Sequence, residues 1–162
     1  MGEKSKILIV DDESDLCLLV KGNLEETKEF DVITCTDPKQ VEDLCQKEKP
    51  DLLLLDNIMP ARKGSDIVKV LKSGEETKNM PIIMISGKGE MVFSKKKGQF
   101  QWLPNNPAAR SRGEIIEGKD PEELSKAYGV DDYISKPFTT ELLIQVIKDV
   151  LEKARKKREK EE

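Results

Sequence analysis

Polar side chains with complementary chemistry lie at or just after the ends of four short apolar runs in this sequence. For any one of them a turn or helix-cap role is the simpler interpretation, because Asp and Ser are common at such positions. Because four apolar runs of one chain end in polar groups of complementary chemistry, a shared site is favoured instead. The residues are Asp11 with Asp12, then Asp56, Ser86 and Lys136.

Three aspartates in a common site would repel one another unless a cation compensates for their charge. Together they carry a formal charge of −3, Lys136 adds +1, and a divalent cation would bring the total to zero. Oxygen ligands that leave several waters in place are typical of Mg²⁺. A carboxylate can also attack phosphorus and become an aspartyl phosphate. That reaction needs a metal, a fixed cation and a hydroxyl donor at the phosphoryl oxygens, and Lys136 and Ser86 fit the last two roles.

The apolar pattern predicts five strands that alternate with helices. Strands that are apolar throughout indicate a parallel sheet covered by helices on both sides, which is an α/β fold. In such sheets ligands bind outside the carboxyl ends of the strands, where the strand order reverses. The polar residues above are predicted to lie at that edge. The predicted strands are Ile7–Val10, Phe30–Thr36, Leu52–Leu55, Pro81–Ile85 and Val130–Ile134.

Composition excludes several classes of function. The chain has no histidine, so imidazole metal sites, His-based catalytic triads and phosphohistidine relays within it are excluded. The cysteines Cys17, Cys35 and Cys45 form no CxxC pair and are typical of buried thiols in a reducing cytosol. No apolar run approaches the roughly 20 residues of a membrane span. With a net charge of −4, these features predict a cytoplasmic protein that contacts no membrane and argue against direct nucleic-acid binding.

Four segments resemble the receiver domain of bacterial two-component response regulators. Each motif alone is weak, but the acidic pair, Asp-x-x-Met-Pro, the hydroxyl residue and Lys-Pro-Phe together are highly specific. The resemblance implies a flavodoxin-like, doubly wound (βα)₅ fold with strand order 2-1-3-4-5. It also implies phosphotransfer from the phosphohistidine of a sensor histidine kinase or a phosphotransfer protein. The segments are Ile7–Glu13, Asp51–Pro60, Pro81–Gly87 and Tyr128–Phe138.

The resemblance also implies a phospho-acceptor and a set of Mg²⁺ ligands. Asp56 is the acceptor and also a metal ligand by position. Asp12 binds Mg²⁺ directly, whereas Asp11 acts mostly through metal-bound water, and the backbone carbonyl of Ile58 completes the protein's share of the ligands. The side chain of Ile58 cannot hydrogen-bond a water, so we expect slow self-hydrolysis of the phosphoryl group.

Residues of the fourth and fifth predicted strands take phosphoryl-binding and switch roles by the same resemblance. Lys136, before a Pro137 peptide bond that the family usually holds in cis, pairs with the acceptor and then with its phosphoryl group. Ser86 closes onto a phosphoryl oxygen, and Gly87 leaves its backbone N–H open to the same group. Tyr133 turns inward behind Ser86 as a switch, although a half-buried strand aromatic is the plainer alternative.

Two further interpretations concern residues near these motifs. Met59-Pro60 and Gly64 shape the loop after the acceptor, and Met59 is expected to be a packing residue. Asp131 and Asp132 are expected to be turn and solvent residues rather than a second acidic pair.

The chain departs from the family between Ser86 and Lys136, which lie about twice the usual interval apart. The additional segment spans about residues 88–119 and holds seven basic residues against three acidic ones, a formal charge of +4. Its pattern predicts a β-hairpin from Met91–Phe93 and Phe100–Leu103. We weigh two interpretations of this segment equally: a surface insertion that the fold tolerates, and a partner-binding surface that phosphorylation reorders. The partner surface would use Phe93, Lys95, Lys96, Lys97, Phe100 and Trp102.

We therefore expect one receiver domain over residues 1–151, followed by a charged helical extension or linker over 152–162. The chain would be a stand-alone receiver or a fragment cut at a linker, and phosphorylation-dependent homodimerisation stays open. An aspartate-nucleophile phosphohydrolase is the enzymatic alternative, but such enzymes favour an acid two residues after the nucleophile, where Ile58 lies. A flavodoxin-like binding module that ignores phosphate is the third interpretation. The receiver interpretation, in contrast to these two, predicts a protein that accepts a phosphoryl group but turns over no substrate.

Overall fold

The computed structural model describes residues 2–86, 89–94, 99–104, 116–117, 126, 129–136 and 138–161, with Ser86 and the three segments that follow it described by their backbone. Strands and helices alternate along most of this length, as predicted. The elements in chain order are β1 (Ser5–Val10), α1 (Ser14–Glu26), β2 (Phe30–Cys35), a 3₁₀ turn (Pro38–Gln40), α2 (Val41–Glu48), β3 (Leu52–Asp56), α3 (Gly64–Ser73), β4 (Ile82–Ser86), β5 (Gly89–Ser94), β6 (Gln99–Pro104), β7 (Ile116–Glu117), β8 (Asp132–Ser135) and α4 (Thr140–Glu161).

Five strands form one parallel sheet in the order β2-β1-β3-β4-β8. With β8 as the fifth predicted strand, this order confirms the predicted 2-1-3-4-5 topology. The last strand begins at Asp132 rather than at the predicted Val130. The reason is local, because the Asp131 side chain accepts a hydrogen bond from the Ile82 N–H at 2.8 Å just before the two strands pair.

Alternate residues of each central strand face two separate apolar layers. Ile7 and Ile9 pack with residues of α1 and α4, whereas Leu8 and Val10 pack with residues of α2 and α3. Leu52–Leu55 has no exposed surface on either face, which confirms the prediction of a strand buried on both sides. Burial of each such side chain contributes about 1.5–3 kcal/mol. The packed layers therefore fix the strand ends that carry the polar residues.

A second, antiparallel sheet follows β4 and has the order β5-β6-β7. Met91 pairs with Trp102 and Phe93 with Phe100, so the predicted hairpin is confirmed at the level of the backbone. Strand β7 was not predicted, because two residues carry no readable period. The lysines at positions 95–97 lie outside the described residues.

All three cysteines are buried and none forms a disulfide, as predicted. Burial raises the pKa of the Cys17 thiol to about 11 and that of Cys45 to about 12. These thiols are therefore protonated at neutral pH and pack as small apolar groups. Among the described residues, no helix is both long and apolar enough to cross a bilayer.

Candidate metal and phosphoryl site

The predicted aspartates meet at the carboxyl edge of the sheet. Asp56 is the last residue of β3, and Asp11 follows β1, whose Val10 pairs with Leu55 of β3. Carboxylate oxygens of Asp11, Asp12 and Asp56 lie within 4.8 Å of one another. Asp11 is 1% exposed and Asp56 2% exposed, so two of these charges are withdrawn from water. The sheet therefore gathers a dense cluster of negative charge at one edge.

Hydrogen bonds hold both oxygens of the Asp11 carboxylate. The backbone N–H of Glu13 donates to Oδ1 at 2.9 Å, and the Lys136 ammonium donates to Oδ2 at 2.7 Å. Lys136 also lies 3.5 Å from a carboxylate oxygen of Glu13. Asp11 is thus fixed in place, and its charge is balanced by a lysine that is itself largely buried.

Lys136 was expected to pair with Asp56, but it forms its short ion pair with Asp11 instead. No contact within ion-pair distance joins the Lys136 ammonium to Asp56, and both side chains are among those described. Burial alone would lower the pKa of Lys136, but the hydrogen bond that it donates to Asp11 and the nearby charges of Asp56, Asp11 and Glu13 outweigh burial and raise that pKa. Lys136 is therefore a fixed cation at neutral pH, as the predicted chemistry requires.

The Asp56 carboxylate, unlike that of Asp11, is not held by hydrogen bonds to both of its oxygens within the described part of the chain. Its Oδ1 accepts a long hydrogen bond of 3.4 Å from the Ile58 N–H. Its Oδ2 is buried and meets no hydrogen-bond partner among the described residues. Burial, followed by the negative charge of Asp11, raises the pKa of the Asp56 carboxyl to about 7, although Lys136 partly offsets this. The protein thus leaves one buried oxygen of Asp56 available to an external group.

These features fit a divalent cation. A buried oxygen that lacks a donor costs free energy unless a cation or proton satisfies it. Three clustered carboxylates form an all-oxygen donor set, which hard cations such as Mg²⁺ prefer. A cation would also counter the repulsion that raises the pKa of Asp56.

The loop after Asp56 closes tightly against the end of β3. The Gly64 N–H donates to the Asn57 carbonyl at 2.9 Å, and the Ser65 N–H donates to Asn57 Oδ1 at 3.2 Å. A Cβ atom on Gly64 would lie 2.5 Å from the Asp56 carbonyl oxygen, so only glycine fits. Met59 is 6% exposed and packs in the core, which confirms its predicted packing role.

The remaining predicted residues lie near this edge or outside the described part of the chain. Ser86 ends β4 and pairs with Ser135 of β8, which places its backbone at the same edge of the sheet. Tyr133 is 7% exposed and packs in the α2/α3 layer. The Ser86 side chain and all of Gly87 and Pro137 fall outside the description. The same holds for the side chains proposed as a partner surface, namely Phe93, Phe100 and Trp102, and for Lys95, Lys96 and Lys97.

Two residues at this edge of the sheet have roles that the sequence analysis did not predict. Glu13 supplies a second carboxylate to Lys136, and Asn57 closes the acceptor loop. The position of Asn57 directly after the strand was the available signal, because Asn side chains commonly cap turns and helix starts. No pattern marked Glu13, because its contact depends on where Lys136 lies in space.

The fold and this edge define a doubly wound α/β protein with a cluster of three carboxylates at the switch point of its sheet. The sequence profile of the response regulator receiver domain matches residues 7–100. The chain therefore belongs to the response regulator receiver family, whose members act in two-component systems with kinases or phosphotransfer proteins. As a receiver domain it belongs to a signalling family rather than to a class of enzymes that turn over substrate.

Individual relatives agree with this assignment. The phosphate regulon transcriptional regulatory protein PhoB of Rhizobium meliloti (strain 1021) is 32% identical over 93% of this chain and 53% of its own length. The alkaline phosphatase synthesis transcriptional regulatory protein PhoP of Bacillus subtilis (strain 168) is 31% identical over 92% of this chain and 49% of its own length. The chain thus spans about half the length of these curated relatives. The chemotaxis protein CheY4 of Vibrio cholerae shares the fold, with a TM-score of 0.65 at 23% identity over 91% of this chain and 99% of its own.

Proposed function

We propose that Asp56 accepts a phosphoryl group from the phosphohistidine of a sensor histidine kinase or a phosphotransfer protein, with Mg²⁺ bound beside it. The observation that carries this proposal is the buried Asp56 Oδ2, which lacks a partner among the described residues while a fixed ammonium lies at the same edge. The Asp11 carboxylate, by contrast, has a hydrogen-bond donor on each of its oxygens.

In the transfer step, an oxygen of the ionised Asp56 carboxylate attacks the phosphorus atom. The donor imidazole is protonated on its other ring nitrogen when the P–N bond breaks, and the nitrogen that held the phosphorus keeps the electron pair of that bond. The product is a mixed anhydride at Asp56 and a neutral imidazole on the donor. Asp56 must be ionised to attack, and a bound cation would favour that form because it counters the burial and the Asp11 charge that raise the pKa of Asp56.

Asp11, Asp12, Asp56 and the backbone carbonyl of Ile58 would hold the Mg²⁺ ion. When bound, the ion neutralises carboxylate charge and stabilises negative charge on the phosphoryl oxygens. The chain's own contribution is to exclude water from Asp11 and Asp56 and to hold the Asp11 carboxylate still through Glu13 and Lys136.

After transfer, Lys136 would pair with the phosphoryl oxygens, and the Ser86 hydroxyl and the Gly87 N–H would donate to them. Tyr133 would then turn inward behind Ser86, and this change of conformation would alter the surface of the domain. Its burial among core residues supports an inward position. Because Ile58 offers no hydrogen-bonding side chain at the site, the phosphorylated form would hydrolyse slowly. The chain would therefore catalyse its own phosphorylation but turn over no substrate.

The segment 88–119 would serve as a partner surface. Its strand register puts Met91 opposite Trp102 and Phe93 opposite Phe100, so these four positions share one face of the β5-β6-β7 sheet. The segment follows Ser86, which supports a link to the phosphorylation state. Deletion of residues 88–119 should then abolish output-partner binding while Asp56 is still phosphorylated, and unchanged binding would contradict this role.

We assign residues 1–151 to the receiver domain and 152–162 to a charged extension of α4, a helix that runs from Thr140 to Glu161. The domain would act in the cytoplasm, with phosphorylation-dependent homodimerisation as one available output.

Incubation with acetyl phosphate and Mg²⁺ tests the proposed acceptor. Intact-mass spectrometry should show the addition of one phosphoryl group to the wild-type chain and to the Asp66→Asn variant, which changes an exposed acid on α3. The Asp56→Asn variant should show no addition. Sustained turnover of an aryl phosphate would instead support the phosphohydrolase alternative.

A further inference from the structure

The loop between Asp56 and Gly64 is anchored at three levels. Its base is closed by the hydrogen bonds from Gly64 and Ser65 to Asn57, and its middle is held by the buried Met59. Its far end is held by Arg62, which reaches across to the turn before α2. This third anchor was not part of the sequence prediction.

Arg62 bonds to two separate groups outside its own loop. One nitrogen, Nη1, donates to the Pro38 carbonyl of the 3₁₀ turn at 3.2 Å. The other, Nη2, forms a direct ion pair with Glu42 in the first turn of α2. The Arg62 and Glu42 side chains are 23% and 24% exposed, so the contact is more sheltered than most surface ion pairs. The Arg62 guanidinium beside Glu42 lowers the pKa of that carboxyl, which keeps this pair charged at neutral pH.

The backbone just before Arg62 is in an unfavourable conformation. Ala61 has a φ of +71°, a region that non-glycine residues rarely adopt. The Arg62 N–H donates to the Pro60 carbonyl at 2.8 Å, which makes the turn very tight. Such a conformation persists when surrounding contacts enforce it, and it is common at functional sites.

We propose that Arg62 is a positioning residue for the metal site, because its bonds to Glu42 and Pro38 hold the loop that presents the Ile58 carbonyl. This inference rests on the proposed function, since it assumes that the carbonyl is a Mg²⁺ ligand. Arg62 lies outside the ligand set and would act only through the loop. Loss of the anchor would leave the three carboxylates in place and loosen the remaining ligand.

Mg²⁺ titration of the unphosphorylated full chain by calorimetry tests this inference. The Arg62→Gln variant should bind Mg²⁺ about tenfold more weakly, the size typical for groups that orient a metal ligand. Arg62→Lys, which can keep one of the two contacts, should lose less affinity. Lys148→Gln is the matched control, because it breaks the exposed ion pair to Glu29 far from the loop, and it should bind as the wild type does.

Two further measurements separate positioning from general destabilisation. Hydrogen–deuterium exchange should accelerate in residues 57–65 of Arg62→Gln without Mg²⁺, while the β1 and β3 peptides stay protected. The double variant Arg62→Gln/Glu42→Gln should bind Mg²⁺ no more weakly than the weaker single variant, since both changes remove the same contact.

Unchanged Mg²⁺ affinity in Arg62→Gln, or an equal loss in Lys148→Gln, would overturn the positioning role even if Asp56 is phosphorylated normally. A wild-type chain that binds Mg²⁺ but takes no phosphoryl group would instead contradict the proposed function and leave the affinity comparison valid.

Discussion

Aspartates at the two edges of the parallel sheet have opposite environments. At the amino edge, Asp51 accepts a hydrogen bond from the Lys6 N–H at 2.7 Å, and Asp131 accepts one from the Ile82 N–H at 2.8 Å. Both residues are exposed. At the carboxyl edge, Asp11 and Asp56 are buried, and one oxygen of Asp56 lacks a partner among the described residues. An aspartate next to a strand therefore indicates a site only when its carboxylate is buried and backbone N–H groups do not satisfy both of its oxygens.

The largest expected difference, in Mg²⁺ affinity and phosphorylation, is between an aspartate-to-asparagine change at the carboxyl edge and the same change at the amino edge. Asp12→Asn should lose most Mg²⁺ affinity and most acetyl-phosphate-dependent phosphorylation, because it removes one charge of the three-carboxylate cluster. Asp51→Asn should retain both properties. Mg²⁺ titration and intact-mass spectrometry measure them, and equal losses in the two variants would remove the distinction between the edges.

Replacing Lys136 should affect both chemistry and stability. Lys136→Met should slow phosphorylation by about a hundredfold, the size typical for the loss of one fixed charge at a reacting oxygen. It should also lower the free energy of unfolding by about 3 kcal/mol, because Asp11 would be left buried without its cation. Stopped-flow kinetics and urea denaturation measure the two effects. A stability loss with an unchanged rate would restrict Lys136 to a structural role.

The raised pKa of Asp56 predicts a specific dependence of stability on pH. The folded-state pKa of about 7 lies above 3.8, the ordinary pKa of an aspartate, so the folded chain binds more protons than the unfolded chain between these values. The Mg²⁺-free protein should therefore lose stability as pH rises from about 4 to about 7, by on the order of 3 kcal/mol. Urea denaturation across this range should show the loss in the wild type and in Asp131→Asn. Asp56→Asn should lack it, and a similar slope in that variant would place its cause elsewhere.

Gly64→Ala probes the packing of the acceptor loop. The added Cβ would lie 2.5 Å from the Asp56 carbonyl oxygen and 2.8 Å from the Asn57 Cα, and neither backbone atom can move freely. We expect a loss of about 2 kcal/mol in stability, within the usual range for overpacking, together with weaker Mg²⁺ binding. Gly22→Ala, where no atom lies near the added Cβ, is the control. Equal effects of the two changes in chemical denaturation would contradict this account of the loop.

The smallest expected effect belongs to the amino edge. Asp131→Ala removes the acceptor for the Ile82 N–H and should cost about 1 kcal/mol, the usual value of one hydrogen bond. Phosphorylation should continue at the wild-type rate. A large kinetic effect would show that the start of β4 is linked to the site at its other end.

The sequence was sufficient to predict the sheet and the cluster of Asp11, Asp12 and Asp56, because apolar runs mark the strand ends and the family motifs mark the acids that follow them. It did not predict that Lys136 pairs with Asp11 rather than Asp56, since both acids lie near the same ammonium and small differences in distance decide between them. It also did not predict the contact of Arg62 with Glu42. That ion pair depends on how α2 lies against the loop after β3, and hydrophobic periodicity along the sequence does not predict that arrangement.

Site mapping after phosphorylation tests the central claim most directly. The wild-type chain is treated with acetyl phosphate and Mg²⁺, reduced with borohydride to convert the acyl phosphate into homoserine, and digested for peptide mass spectrometry. The predicted result is a single conversion at Asp56, dependent on Mg²⁺, with Asp11 and Asp12 unchanged. Conversion at another acid, or labelling that persists in Asp56→Asn, would contradict the assignment of Asp56 as the acceptor.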